Sequence, residues 1–469
     1  MRKYLILLII SLSIGLTQNW TIELVDSTDL TFDCSIATDT QNYPNIAYCT
    51  RRRLGGNFYS YLLKYVRWNG SAWEFQPVET TEALNVGIPV FKVVKLCLDK
   101  QNHPHIAYVK DSCQFKYAHF DGDSWQILLI DSVSDLRDYH IKRKCIDITL
   151  SEDDIPHISY SFINFEDSTR GIKYAYKSGR SWIIQTVWEE NRIPQYSLLL
   201  TLAININQFG HPVIAFENYY PAPIDSGYLF CARFNGQNWK IDTIERHWYS
   251  NYYVYSLKTD IYNRIHIYYQ RLIELFYAVK SNDTWRIEFV ATNGWGECGG
   301  EMILDEESPN VVYSSIRDPL TYAWKRDTMW HFEIIDPHYP GFYPSLAKDN
   351  EGGLHASYTR FDDNCLLYAR RTPNAIEEKV VSLKTEISSV VYPNPAKSVM
   401  RVRVPWNYSK PKAQSSMLKI FDVSGIMIKE IAVPSARNDQ AVEIPLKGIK
   451  PGIYFLRLGT QTKKFLVVK

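Results

Sequence analysis

Short runs of alternating apolar and polar residues recur along most of the chain, always in the same order. In the clearest copy, Val93-Val-Lys95-Leu96-Cys97-Leu98 is followed by Asp99-Lys-Gln-Asn102, then by a run from Pro104 to Tyr108. Next come Lys116-Tyr117-Ala118, Asp121-Gly122 and a run opened by Trp125. Period-two alternation is the pattern of strands with one face buried. A four-strand unit returning every ~40–50 residues is the pattern of a repeat architecture. The glycines Gly70, Gly122, Gly179 and Gly236 share the turn before the Trp strand, where a positive φ costs glycine little.

Two counts of the unit are offset by one. The Trp that opens the last strand appears at Trp20, Trp73, Trp125, Trp182, Trp239, Trp285 and Trp330. The residue of the preceding strand appears at Tyr65, Tyr117, Tyr174, Cys231, Tyr277, Tyr322 and Tyr368. No Trp strand follows Tyr368, and the Trp20 strand has no Tyr strand before it. Pairing these two ends closes a ring and leaves no unpaired inner edge. The pattern therefore predicts an all-β chain, with a seven-bladed β-propeller closed by its N-terminal strand and a small C-terminal β-sandwich. Cys231 stands where the repeat has Tyr and reads as a small core residue.

The remaining segments divide the chain into 1–18, a signal peptide; 19–372, the propeller; 373–386, a polar linker; and 387–469, a C-terminal domain. Arg2-Lys3 precedes an apolar run from Tyr4 to Leu16, which is shorter than the ~20 residues of a spanning helix. The mature chain is expected to be exported, with no transmembrane segment. Export permits disulfides, and one or two of them are compatible with the eight cysteines, although no Cys-x-x-Cys occurs. A net charge of +1 gives no basis for nucleic-acid binding. It conceals an asymmetry: from Ser388 onward fourteen Lys and Arg face four Asp and Glu. That surplus is either the solvated face of a small β domain or a patch for phosphate-bearing surfaces.

The tail carries Val391-Tyr392-Pro393-Asn394-Pro395-Ala396, then Leu418-Lys-Ile-Phe-Asp422-Val-Ser-Gly425. Ile449-Lys-Pro-Gly452-Ile-Tyr454-Phe455 and Lys464-Phe465-Leu-Val-Val-Lys469 complete it. In this order the segments resemble the type A C-terminal sorting domain of type IX secretion. The resemblance implies the type IX machinery as a partner, and a secreted or outer-membrane-associated cell-surface location. It says nothing of the propeller's ligand.

Candidate chemistry is sparse. His105, His157, His266 and His355 occupy one repeat position, filled elsewhere by Asn45 and Asn310. On separate blades they lie too far apart to share an ion at ~2 Å bonds. They are expected to bond within their own blades, to the turn Asp, so no metal or cofactor follows. The Gly-x-x-Trp turns are similar to the Asp-box of sialidases only in Gly and Trp; its Asp position holds Trp68, Phe120, Lys177, Phe234, Lys280 and Lys325. Arg192-Ile193-Pro194 also occurs in that family, but no catalytic residues are assembled.

Near the axis the pattern places Lys95, Asp147 and Glu301 among small residues, as channel lining. The long loops share one face and are rich in aromatic and charged residues. Trp248, Tyr252, Trp295, Tyr339, Tyr220 and Arg52 are the candidate ligand-binding residues there, since rings beside polar groups suit a sugar or a peptide. The expected function is binding of carbohydrate, glycoconjugate or protein. The alternatives are a polysaccharide-degrading glycosidase or lyase on the same scaffold, and a structural surface protein.

Overall fold

The computed structural model describes residues 20–372 except 85–90, 112–113, 133–143, 192–199, 221–223, 249, 293–298, 315–318, 338–340 and 361–364; in the tail it describes 390–392, 399–403, 417–422, 427–432, 441–458 and 461–467. It divides into two compact units, Met1–Thr372 and Pro373–Lys469. In the first, seven four-stranded antiparallel sheets follow one another as blades of a propeller. Blades one to six span residues 30–84, 91–132, 146–190, 202–248, 252–292 and 300–336. Each runs from its innermost to its outermost strand in chain order. The seventh takes three strands from residues 341–371 and its outermost from the N-terminus: Trp20–Asp26 pairs with Leu366–Arg371, Trp20 opposite Arg371.

The cores lie between blades rather than within them. Val93, Phe115 and Tyr117 of blade two, for example, pack with Ile146, Ile158 and Tyr160 of blade three. Two devices recur at the boundaries. At one end, the Trp of an outermost strand meets edge-on the Tyr of the preceding blade's third strand. The pairs are Trp20–Tyr322, Trp73–Tyr368, Trp125–Tyr65, Trp182–Tyr117, Trp239–Tyr174 and Trp330–Tyr277, with centroids 5.2–5.8 Å apart. At the seventh boundary Trp285 packs in the same cluster as Cys231. Each of those tyrosines also bonds the His or Asn of its own second strand, as in His105 Nδ1–Tyr117 Oη at 2.6 Å and Tyr65 Oη–Asn45 Oδ1 at 2.5 Å.

At the other end a bulge turns an apolar residue of the outermost strand inward. Val25, Val78, Ile130 and Ile335 are buried in this way. The acid that follows it then faces the next blade. Tyr48 donates to Asp26 at 2.7 Å, Tyr160 to Asp131, Tyr269 to Glu245 and Tyr358 to Asp336 at 2.8 Å, and Tyr108 donates to Glu79. Lys64, Lys116, Lys173 and Arg271 pair with four of these acids. Where the acid is replaced by Trp188, the Tyr is replaced by Phe216, and the two rings pack at 5.5 Å.

Cys34, Cys49, Cys97 and Cys231 are free thiols; Cys113 and Cys298 lie outside the described residues. The second unit contains a three-stranded and a four-stranded antiparallel sheet. No helix among the described residues is long and apolar enough to cross a membrane.

Candidate functional site

At the axis, one level of the innermost strands carries Ser35, Lys95, Asp147, Ala203, Ser256, Glu301 and Ser345. Several of these stitch neighbouring blades: Ser35 Oγ accepts the Leu96 N–H at 3.1 Å, Ser345 Oγ that of Ile36 at 3.2 Å, and Asp147 Oδ2 that of Ile204 at 3.0 Å. The charged residues pair across the ring. Glu301 of blade six accepts from Lys95 of blade two at 2.7 Å, from Lys144 at 3.0 Å and from Ser256 at 2.8 Å. Burial alone would raise the Glu301 pKa, but Lys144, Lys95 and Lys258 hold it well below the carboxylate range. Burial pushes Lys144 down to about 8, and it raises Asp147. Beside this knot is a cavity of about 30 Å³, bordered by Lys95, Lys144, Tyr255 and Tyr343. It has room for a water or two and falls far below the ~300 Å³ of a small ligand cleft. Lys95 and Glu301 are thus committed to each other, while Asp147 accepts the Ile148 and Ile204 N–H groups.

On the long-loop face, Trp248 ends the outermost strand of blade four and is 56% exposed, with the Arg246 guanidinium 4.6 Å over its ring. Tyr220 ends the second strand of the same blade, and both pair with Ser226 between them. They therefore share one face of the blade, roughly 10 Å apart. Arg52 belongs to blade one, three blades round the ring, where its Nε donates to Asp29 at 2.6 Å. Tyr252 corrects the expectation of an exposed rim. It opens the innermost strand of blade five, is fully buried, and packs against Tyr269 and over Gly227. Gly227 has no room for a side chain, and that space lets the ring lie flat in the core. Trp295 and Tyr339 lie outside the described residues.

A cavity much larger than the axial one is on the opposite face, in the groove between the last blade and the first. It measures about 500 Å³ and is lined by Trp68, Trp73, Tyr43, Glu23, Glu351 and Arg370 among others. Its geometry follows from closure. The N-terminal strand brings Glu23, which accepts from the Trp73 indole at 2.8 Å. Trp73 is braced edge-on by Trp68 and Tyr368, each 5.4 Å away. The Tyr43 hydroxyl sits against Gly70, whose φ of 97° and lack of a side chain let the turn pass beneath it. Arg370 also lines the groove, and its Nε is buried without a hydrogen-bond partner among the described residues. The sequence held one signal for this place: Trp68 occupies a position where blades three, five and six have lysine.

Fold and tail together define an all-β, seven-bladed propeller carrying a delivery domain. Residues 390–469 match the secretion system C-terminal sorting domain family, so the tail indicates handling by secretion machinery and a secreted or cell-surface location. Among curated proteins none matches the chain. Solved propellers are similar at low identity. An α-L-arabinanase of Penicillium chrysogenum is 11% identical over 60% of this chain and 93% of its own, with TM-score 0.42. Aleuria aurantia lectin is 11% identical over 66% and 97%, also at 0.42. A protein of unknown function from Dyadobacter fermentans is 10% identical over 75% and 97%, at 0.44. Likeness at that level says nothing about a ligand.

Proposed function

We propose that the protein is an exported binding module, delivered by type IX secretion after removal of its signal peptide, whose propeller holds a carbohydrate, free or on a glycoconjugate. The observation that supports this most is the groove between blades seven and one. Indole rings at Trp68 and Trp73 offer apolar faces for sugar C–H groups. Glu23, Glu351 and Arg370 supply hydroxyl-directed acceptors and donors around them. Its volume lies within the range of small-ligand clefts.

The test is a glycan array with the mature chain, followed by titration of the best glycan against Trp68→Ala, with release of reducing sugar monitored alongside. Loss of a stacking ring worth about 1.4 kcal/mol weakens binding tenfold. Binding that ignores Trp68→Ala, or no glycan bound, would refute the assignment. The two carboxylates in the groove, Glu23 and Glu351, give the glycosidase alternative its footing, and turnover of a bound glycan would establish it in place of a binding module.

A further inference from the structure

Blade two departs from its sisters at one spot. In blades five and seven the second-strand histidine is held between a tyrosine and the turn aspartate: His266 lies 2.6 Å from Tyr277 Oη and 3.2 Å from Asp260, and His355 lies 2.6 Å from Tyr368 Oη and 3.0 Å from Asp349. In blade two His105 keeps the tyrosine, Tyr117 Oη at 2.6 Å, but its Nε2 stands 3.5 Å from Asp99 Oδ2. The same carboxylate oxygen instead lies 3.1 Å from His103 Nδ1. Across the strand pair His105 is opposite His119, with ring centroids 4.4 Å apart. At the His119 register blade three has Tyr176, blade five Val279 and blade seven Arg370. At the His103 position blades five and seven have Arg264 and Gly353, while blade four has His211. Blades five and seven therefore fold without either extra imidazole.

We infer that Asp99, His105 and His119 form a binding site for a divalent transition cation such as zinc, with His103 orienting the carboxylate. One donor atom from each of the three lies within 4.8 Å of the others, so shifts of about an ångström would bring them onto a common ion at ~2.0–2.1 Å bonds. Imidazole with carboxylate is a donor set for Zn²⁺, Co²⁺, Ni²⁺ or Cu²⁺ rather than for Ca²⁺ or Mg²⁺. The Tyr117 contact fixes the His105 ring through Nδ1, as outer-shell partners of ligating histidines do, and leaves Nε2 for the metal. Lys177 of the next blade acts on both rings, and its charge sets a limit on affinity. The site sits in a single blade and requires no residue of the sugar groove.

The test is titration of the untagged, chelator-treated mature chain with Zn²⁺ by calorimetry and with Co²⁺ by visible d–d absorption. The expected result is one saturable site per chain, weakened at least tenfold in His119→Tyr and in His119→Val. These are the residues that blades three and five carry at that register, so the fold accommodates them, and an unchanged circular dichroism spectrum verifies it. Absence of saturable binding, or equal binding by the wild type and both variants, would overturn the inference.

Discussion

Replacing Trp20 by alanine strikes the strand that closes the ring. The Trp20 side chain is only 3% exposed. It meets Tyr322 edge-on at 5.7 Å and packs in one cluster with Leu346, Tyr358 and Leu367. Loss of a buried Trp of this kind costs about 3–5 kcal/mol, a large share of the 5–15 kcal/mol that holds a typical domain. Trp285→Ala is the internal control. Its counterpart across the boundary is Cys231 rather than a tyrosine, so the edge-on pair, worth ~0.5–1.5 kcal/mol, is missing there and the loss is smaller. Trp20→Phe keeps a ring and removes an indole N–H that is buried without an acceptor among the described residues, so it costs less than alanine. Urea unfolding of the mature chain measures all three through the midpoint at constant m. Size-exclusion chromatography reports whether the bared Leu366–Arg371 edge self-associates. A change below 1 kcal/mol in Trp20→Ala, with the chain still monomeric, would show that the N-terminal strand merely rests on the blade.

Acid should weaken the ring through its histidines. Burial holds His105 and His157 near a pKa of about 4 in the folded chain, so between there and about 6.5 the unfolded chain binds protons that the folded one refuses. Their contribution is complete above about pH 6.5 and is lost as pH falls to about 4, on the order of 2–3 kcal/mol each. His157→Asn, the residue that blades one and six use there, should flatten the profile between pH 7 and 4.5 in urea unfolding, and an unaltered slope contradicts the account. Glu301→Gln should cost roughly 3–5 kcal/mol by leaving Lys95 and Lys144 buried without their shared carboxylate. Adding Lys144→Met should recover part of that loss, and no recovery in the double variant would mean that the axial charges are not coupled.

Much of this was legible because repetition turns one observation into seven. The offset between Trp and Tyr counts dictated the closure, and the His and Asn positions implied bonds inside each blade. The acid clasp has an equally regular signature. An acid falls six residues after Trp20, Trp73, Trp125, Trp239 and Trp330, and an aromatic residue falls three after each second-strand His or Asn. The change to Trp188 with Phe216 even records the coupling within one chain. What could not be read are contacts whose partners the ring alone brings together. Lys95 and Glu301 stand 206 residues apart, and the groove takes its walls from both ends of the propeller. Tyr252 looked like a loop aromatic because nothing local shows that Gly227 of another strand leaves space for it.

The positions that obey the repeat are occupied with holding blades together: the Trp–Tyr pairs, the His–Tyr bonds and the acid clasps all spend their polar and aromatic groups on neighbours. A ligand needs groups the fold does not use, so in a repeat protein the departures are where such groups collect. Trp68 is one departure, in the groove beside the blade that the N-terminal strand completes. His119 beside His105 and Asp99 is another, at a register where blades three, five and seven have Tyr176, Val279 and Arg370. The two sites have different chemistry and share no residue, so Trp68→Ala should leave the cation titration unchanged and His119→Val should leave glycan affinity unchanged. Loss of both functions in either variant would mean that the substitution had loosened the ring itself, and that neither departure acts as a local site.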